Sequence, residues 1–234
     1  MWRVSGKTSS LVSLPSSRSS PAQTPPDALV CVVDDDESVR RGLSRLFRSA
    51  DLRAEAFASA KAFLARSEHD GPWCLVLDVR MPGLDGLELQ RALAGRGAQI
   101  VFLTGQGNVP ECARAMKAGA VDFLTKPVDD EELLGAVARA LASSAEVRQS
   151  VIGRAAAQAR LGTLTPRELE VMQRVIAGLL NKQIAAELDA AEKTIKIHRG
   201  RVMAKLGVTS VADLVRLAQA AAIAPKMATA LNPQ

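Results

Sequence analysis

The sequence predicts an α/β domain with a doubly wound, five-stranded parallel sheet, followed by a small all-α domain. Three observations carry this. Short aliphatic runs alternate with amphipathic segments from Leu29 to Ala142, every strand signal stops after Ser143, and the charge changes sign between the two parts. The chain has 234 residues, 47% of them hydrophobic and 24% charged, with a formal net charge of +5. Divided along the chain, the balance is +2 over residues 1–27, −3 over 28–145 and +6 over 146–234. The apolar content excludes disorder throughout. Charges or breakers interrupt every apolar run before the roughly 18 residues needed to cross a bilayer, so no membrane partner is expected. Cys31, Cys74 and Cys112 are spaced for neither a disulfide framework nor a thiolate metal site, which points to buried, inert thiols in a reducing compartment.

Residues 1–26 hold eight serines and four prolines, too little apolar surface to offset the entropy of ordering. Residues 1–27 therefore read as a disordered arm. The expected strands are Leu29–Val33, Arg53–Phe57, Trp73–Leu77, Gln99–Leu103 and Val121–Leu124. The helical patterns between and after them are Glu37–Ser49, Ala60–Ala65, Leu84–Leu93, Val109–Ala118 and Asp130–Ala142. Alternation of this kind builds crossover units on a parallel sheet. Ser143–Gly162 is rich in Ala, Arg, Gln and Ser and reads as a partly helical linker, centred on residues 146–159. In Thr165-Pro166-Arg167-Glu168, threonine supplies the N-cap, proline the first helical position and glutamate the third. Gly178 closes that helix, Asn181 caps the next, and Glu192–Leu206 ends at Gly207, with a fourth helix after Ser210.

Ligands of a doubly wound sheet sit at the carboxyl ends of its strands. There the sequence places Asp34-Asp35-Asp36, Asp78, Thr104-Gly105 and Lys126-Pro127. Carboxylates at Asp34, Asp35 and Asp78 repel one another unless a cation lies between them, and an oxygen-only set favours a hard divalent ion such as Mg²⁺. Lys126 offers a point charge to a phosphate or carboxylate oxygen, and Thr104 a hydrogen bond to the same group. A carboxylate beside a metal can itself attack phosphorus, giving an acyl phosphate.

Val32-Val33-Asp34-Asp35-Asp36, Leu77-Asp78-Val79-Arg80-Met81-Pro82-Gly83, Asp85-Gly86, Leu103-Thr104-Gly105 and Lys126-Pro127 together resemble the receiver domain of two-component response regulators, over residues 28–145. The resemblance implies a flavodoxin-like fold in which Asp78 accepts a phosphoryl group from a sensor histidine kinase. It implies Mg²⁺ binding by Asp34, Asp35, Asp78 and the Arg80 backbone carbonyl, with Thr104 and Lys126 touching the phosphoryl group. It also implies a switch at Phe123, where tyrosine is more familiar, and a dimer face near Glu111–Lys117, Val121–Leu124 and Asp130–Arg139.

Asn181–Leu188 and Glu192–Leu206, joined at Asp189-Ala190-Ala191, have the dimensions of a helix-turn-helix. Ile195, Val202 and Leu206 form an inward stripe, which leaves Lys193, Lys196, Ile197, Gly200 and Arg201 on the opposite face. That face is basic and carries an apolar side chain able to touch a thymine methyl group. Leu164-Thr165-Pro166-Arg167-Glu168-Leu169-Glu170-Val171, Asn181-Lys182-Gln183-Ile184-Ala185 and Lys193 through Met203 resemble the LuxR-type module of NarL/FixJ regulators, over residues 160–224, with 225–234 as a tail. The DNA contacts implied are Lys182, Lys193, Thr194, Lys196, Ile197, His198, Arg199 and Arg201. One departure stands out: the family usually has glycine and serine in the turn, where this chain has Asp189 and Ala191.

The expectation is a bacterial, cytoplasmic transcriptional response regulator and not an enzyme. Phosphorylation would promote a homodimer that binds double-stranded promoter DNA, with RNA polymerase as a further candidate partner. Two rivals account for parts of the sequence. A Mg²⁺-dependent phosphohydrolase would need a second acid close after its nucleophile, where Arg80 stands two residues past Asp78. An adaptor that binds only proteins would result if the altered turn disabled the helix-turn-helix.

Overall fold

A computed structural model describes residues 27–105 and 108–226. The expected disordered arm, apart from Asp27, and most of the expected tail lie outside the described residues. The chain divides into two compact units between Ala142 and Ser143.

In the first unit, β1 (Leu29–Val33), β2 (Arg53–Phe57), β3 (Trp73–Leu77), β4 (Gln99–Thr104) and β5 (Asp122–Thr125) form one parallel sheet in the order β2-β1-β3-β4-β5. β1, β3 and β4 are covered on both faces and are almost uniformly apolar, as buried parallel strands must be. Alternate residues feed two cores. Val30, Val32, Val76, Val101 and Leu103 pack with Phe47 of α1 (Glu37–Ser49) and with Leu133, Val137 and Leu141 of α5 (Asp130–Leu161). Leu29, Val33, Leu75, Leu77 and Phe102 pack on the other face with Phe63 of α2 (Ala60–Leu64), Leu89 of α3 (Gly86–Ala92) and Ala115 of α4 (Val109–Lys117). The buried Gln90 of α3 donates Nε2 to the Ala115 carbonyl at 3.0 Å, tying α3 to α4.

Two boundaries differ from the sequence reading for identifiable reasons. The expected Leu84–Leu93 helix starts at Gly86 because Asp85 caps it: the Asp85 carboxylate accepts from Glu88 N–H at 2.7 Å, and Glu88 accepts from Asp85 N–H at 3.0 Å. The helix expected to end at Ala142 runs on to Leu161. Alanine, arginine and glutamine, all strong helix formers, make up half of residues 143–162, and no proline interrupts them. Cys31 and Cys74 are buried as expected, with burial pushing the Cys31 thiol up to about 11 and Cys74 also up. Cys112 is half-buried.

The second unit packs α6 (Pro166–Ile176), α7 (Asn181–Glu187), α8 (Glu192–Leu206) and α9 (Val211–Ala220) around Val171, Met172, Ile184, Ile195, Val202, Leu206 and Leu214. Ala157 and Leu161, from the last turns of α5, join that core. Thr165 forms the expected capping box with Glu168. The cap of α7 is Leu180 and not Asn181: Gln183 accepts from Leu180 N–H at 2.7 Å, and Asn181 is the first helical residue. Asp189 takes the left-handed conformation, with φ 46°, that glycine would otherwise supply. Ala191 occupies the N-cap of α8 and offers no side-chain acceptor.

An uncapped helix start has a readable cost. Ala191→Ser supplies the missing acceptor in an already extended backbone, and should stabilise the second unit by about 0.5–2 kcal/mol in denaturant unfolding. No gain in midpoint would mean that the α8 amides are satisfied in some other way.

Candidate functional site

The site is assembled by strand register. β1 turns outward to β2 while the chain returns on the other side as β3, so the crevice between β1 and β3 is the switch point of the sheet. Val33 pairs with Leu77, and Asp78 N–H donates to the Val33 carbonyl at 2.9 Å. The next residues, Asp34 and Asp78, therefore emerge side by side, and both are buried. On the far side, Lys126 N–H donates to the Thr104 carbonyl at 2.8 Å, which extends the β4–β5 ladder and brings Lys126 to the same edge.

Lys126 Nζ lies 2.5 Å from Asp34 Oδ2 and 3.1 Å from Asp78 Oδ2. Burial pushes the Asp34 carboxyl up, and the hydrogen bond from Lys126 opposes that shift. Burial likewise works against the Lys126 charge, but its hydrogen bonds to Asp34 and Asp78 prevail and hold the ammonium above its ordinary value. The second oxygens are used as well: Asp36 N–H donates to Asp34 Oδ1 at 2.9 Å and Arg80 N–H to Asp78 Oδ1 at 3.2 Å. Arg40 Nη1 donates to the Asp34 carbonyl at 2.8 Å.

Asp34, Asp35 and Asp78 each offer a carboxylate oxygen, and these lie within 4.8 Å of one another. Asp35 is exposed, so the cluster opens to solvent on one side. Three hard oxygen donors and no sulfur or nitrogen fit a divalent cation such as Mg²⁺. The third acid of the run has a different task. Asp36 caps α1, accepting from Ser38 N–H at 2.7 Å, and its hydrogen bonds with Ser38 draw its carboxyl below the usual range.

Thr104 is buried at the end of β4. Phe123 is half-buried on β5 with its ring 5.9 Å from that of Phe102. The Arg80 guanidinium turns away from the cluster toward Glu111 of α4, at 3.4 Å. The role of Gly86 was not legible in its motif. A Cβ there would sit 2.2 Å from the Asp78 carbonyl oxygen and 3.0 Å from Val79 Cα, so α3 starts in direct backbone contact with the Asp78 loop. The available signal was a glycine directly after a capping aspartate, where the helix itself has no use for one.

In the second unit, Ile195, Val202 and Leu206 are buried. Lys193, Thr194, Lys196, Ile197 and Arg201 are exposed on the other side of α8, with Ile197 48% exposed, and Lys182 is exposed on α7. His198 and Arg199 are half-buried. Arg199 Nη1 donates to Asn181 Oδ1 at 3.2 Å, so this cation bridges the two helices. His198 Nδ1 is buried without a hydrogen-bond partner among the described residues. The frame beneath is held by Lys205 on Glu168 at 2.6 Å, Arg174 on Glu187 at 2.7 Å and Arg167 on the Leu188 carbonyl at 2.5 Å. Arg160 also donates to the Leu206 carbonyl. The Lys205 hydrogen bond, with help from Thr165 N–H, pulls the Glu168 carboxyl down to about 2.

Residues 30–138 match the response regulator receiver domain family, and residues 162–218 match the luxR family of bacterial regulatory proteins. The chain is 49% identical to nodulation protein W of Bradyrhizobium diazoefficiens over 194 residues, 82% of this chain and 86% of that protein. It is 41% identical to the transcriptional regulatory protein FixJ of Azorhizobium caulinodans over 203 residues, 86% of this chain and 96% of that one. The solved structure of the response regulator StyR is 47% identical, with a TM-score of 0.74 over 82% of this chain and 98% of that chain.

Two substitutions probe this geometry. Gly86→Ala forces backbone apart at the Asp78 loop and should cost about 1–3 kcal/mol in urea unfolding of the first unit; an unchanged midpoint would show that α3 can withdraw freely. The Glu168 carboxylate is stabilised in the fold, so its contribution is complete above the ordinary value of 4.5 and is lost as pH falls toward about 2. Thermal midpoints of the second unit should decline over that window, and less steeply in Glu168→Gln; parallel declines would remove the Lys205 pair as the cause.

Proposed function

The chain belongs to the two-component response regulators that join a receiver domain to a LuxR-type DNA-binding domain, transcriptional regulators and not enzymes, and we propose that Asp78 is the phosphoryl acceptor that controls promoter binding. The observation that carries this is the position of Asp78, buried at the switch point with Lys126 on one of its oxygens and Asp34 and Asp35 beside it.

In this reading an Asp78 carboxylate oxygen attacks phosphorus on the phosphohistidine of a sensor kinase. The O–P bond forms as the P–N bond breaks, and the electron pair stays with the departing imidazole nitrogen. A Mg²⁺ ion held by Asp34, Asp35, Asp78 and the Arg80 carbonyl would supply charge neutralisation at the phosphoryl oxygens. Lys126, already within hydrogen-bond reach of Asp78, tracks the new negative charge, and the Thr104 hydroxyl donates to it. Movement of Thr104 changes the space available to Phe123, whose ring stands against Phe102. The two-state element is the face that includes α4 and β5, and phosphorylation biases it toward a homodimer.

Residues 28–145 are assigned to this receiver and 160–224 to the DNA-binding domain. In the latter, Lys182, Lys193, Thr194 and Arg201 meet phosphates and position α8, and Lys196 and Ile197 face base edges in the major groove. His198 and Arg199 belong to the same surface at its half-buried edge. RNA polymerase at the bound promoter is the further partner, in a bacterial cytoplasm. Among the described residues no helix is long and apolar enough to cross a membrane.

The test pairs a small phosphodonor with selection of bound genomic DNA. Wild-type protein should become phosphorylated and gain affinity for the selected promoters, and affinity should fall steeply with salt. Asp78→Ala should lose both the modification and the gain. If that variant is phosphorylated and activated as well as the wild type, the acceptor lies elsewhere.

A further inference from the structure

Gly200 stands in the interior of α8, about two turns after Glu192 and nearly two before the end at Leu206. Glycine is a poor helix former, and its usual justifications are a left-handed backbone or a packing contact too close for a Cβ. Neither applies. Its φ is not among the positive values of the chain, and a Cβ built on it would meet nothing within 4 Å. The residue is exposed. The fold therefore gives no reason for glycine at this position, and a close approach by something outside the chain would supply one.

Empty space alone assigns nothing, because Gly42 on α1 and Gly153 on α5 are equally unhindered. Gly200 differs in its neighbours. Lys196 and Ile197 stand one turn before it and Arg201 directly after it, all exposed. No carboxylate occurs from Lys193 to Leu206. Arg199, the other adjacent cation, is drawn aside by Asn181. The result is a gap in the side chains of a basic face, bordered by one branched apolar group.

The size of the groove gives that gap a use. A helix with its side chains is about 10–12 Å across, and the B-DNA major groove is about 12 Å wide. A helix that fits so closely gains depth where one side chain is missing. We propose that Gly200 is the point at which the backbone of α8 comes nearest to the duplex, letting Ile197 reach a thymine methyl group while Lys196 and Arg201 reach to either side. This rests on the reading of α8 as the DNA-contacting helix.

The experiment uses the full chain treated with a phosphodonor, one duplex taken from a randomised pool selected by the wild-type protein, and one unselected duplex. Gly200→Ala should melt at or above the wild-type temperature, since alanine favours the helix and meets no neighbour. It should bind the selected duplex about tenfold more weakly, with a smaller loss on the unselected one and the same salt slope, because no phosphate-binding cation has been removed. Gly200→Ser should behave likewise on binding. Binding of Gly200→Ala within twofold of wild type overturns the proposal, and so does a lowered melting temperature, which would give the glycine a role in the fold. If the wild type itself shows no salt-dependent duplex binding, the reading of α8 falls and takes this inference with it; if the wild type binds and the variants bind equally well, only the inference falls.

Discussion

Two buried carboxylates held side by side by neighbouring strands are the constraint around which the first unit is organised. Asp34 and Asp78 cannot separate without breaking the β1–β3 ladder that ends one residue before each of them. Like charges so placed favour protonation, metal binding or a nearby cation, and Lys126 reaches in from the end of β5 to meet both. Any event that changes charge at Asp78 changes what Lys126 must neutralise. Because Lys126 N–H is bonded to the Thr104 carbonyl, the ammonium that meets both carboxylates is anchored to the end of β4 as well as to β5.

Much of this was legible in the sequence because parallel strands write themselves plainly. β1, β2 and β3 have the bounds expected from the sequence, and the residues directly after a parallel strand must lie at the carboxyl edge of the sheet. The acidic site could therefore be named before any distance was known. Less legible were partners set by tertiary approach. Nothing local in Asn181 says that it holds Arg199, and nothing in Gly86 says that the Asp78 carbonyl lies against it. The long α5 was missed for another reason: its later turns lack a clear apolar stripe, although their composition favours a helix. Periodicity reports burial, and an exposed helix has little burial to report.

The second unit shows how a helix can be specified by its surroundings. α8 begins without a side-chain cap, contains a glycine, and carries Thr194, Ile195, Ile197 and Val202, whose β-branched side chains are poor helix formers. What fixes it is the burial of Ile195, Val202 and Leu206 and the left-handed Gly207 that closes it. The ion pair beneath it is anchored on another helix, through Glu168 of α6. In the turn before it, Asp189 holds the backbone conformation that glycine usually provides, so the departure in sequence leaves the turn intact.

That dependence ties the display of the basic face to the folding of the whole unit. A segment with strong intrinsic helicity would display its cations at helical spacing even in a damaged or half-made chain, and would compete for nucleic acid wherever it met it. Here the row of Lys193, Lys196 and Arg201 acquires its spacing only when the core of the second unit is complete. A chain whose second unit has not folded is left with scattered charges in place of an ordered basic surface.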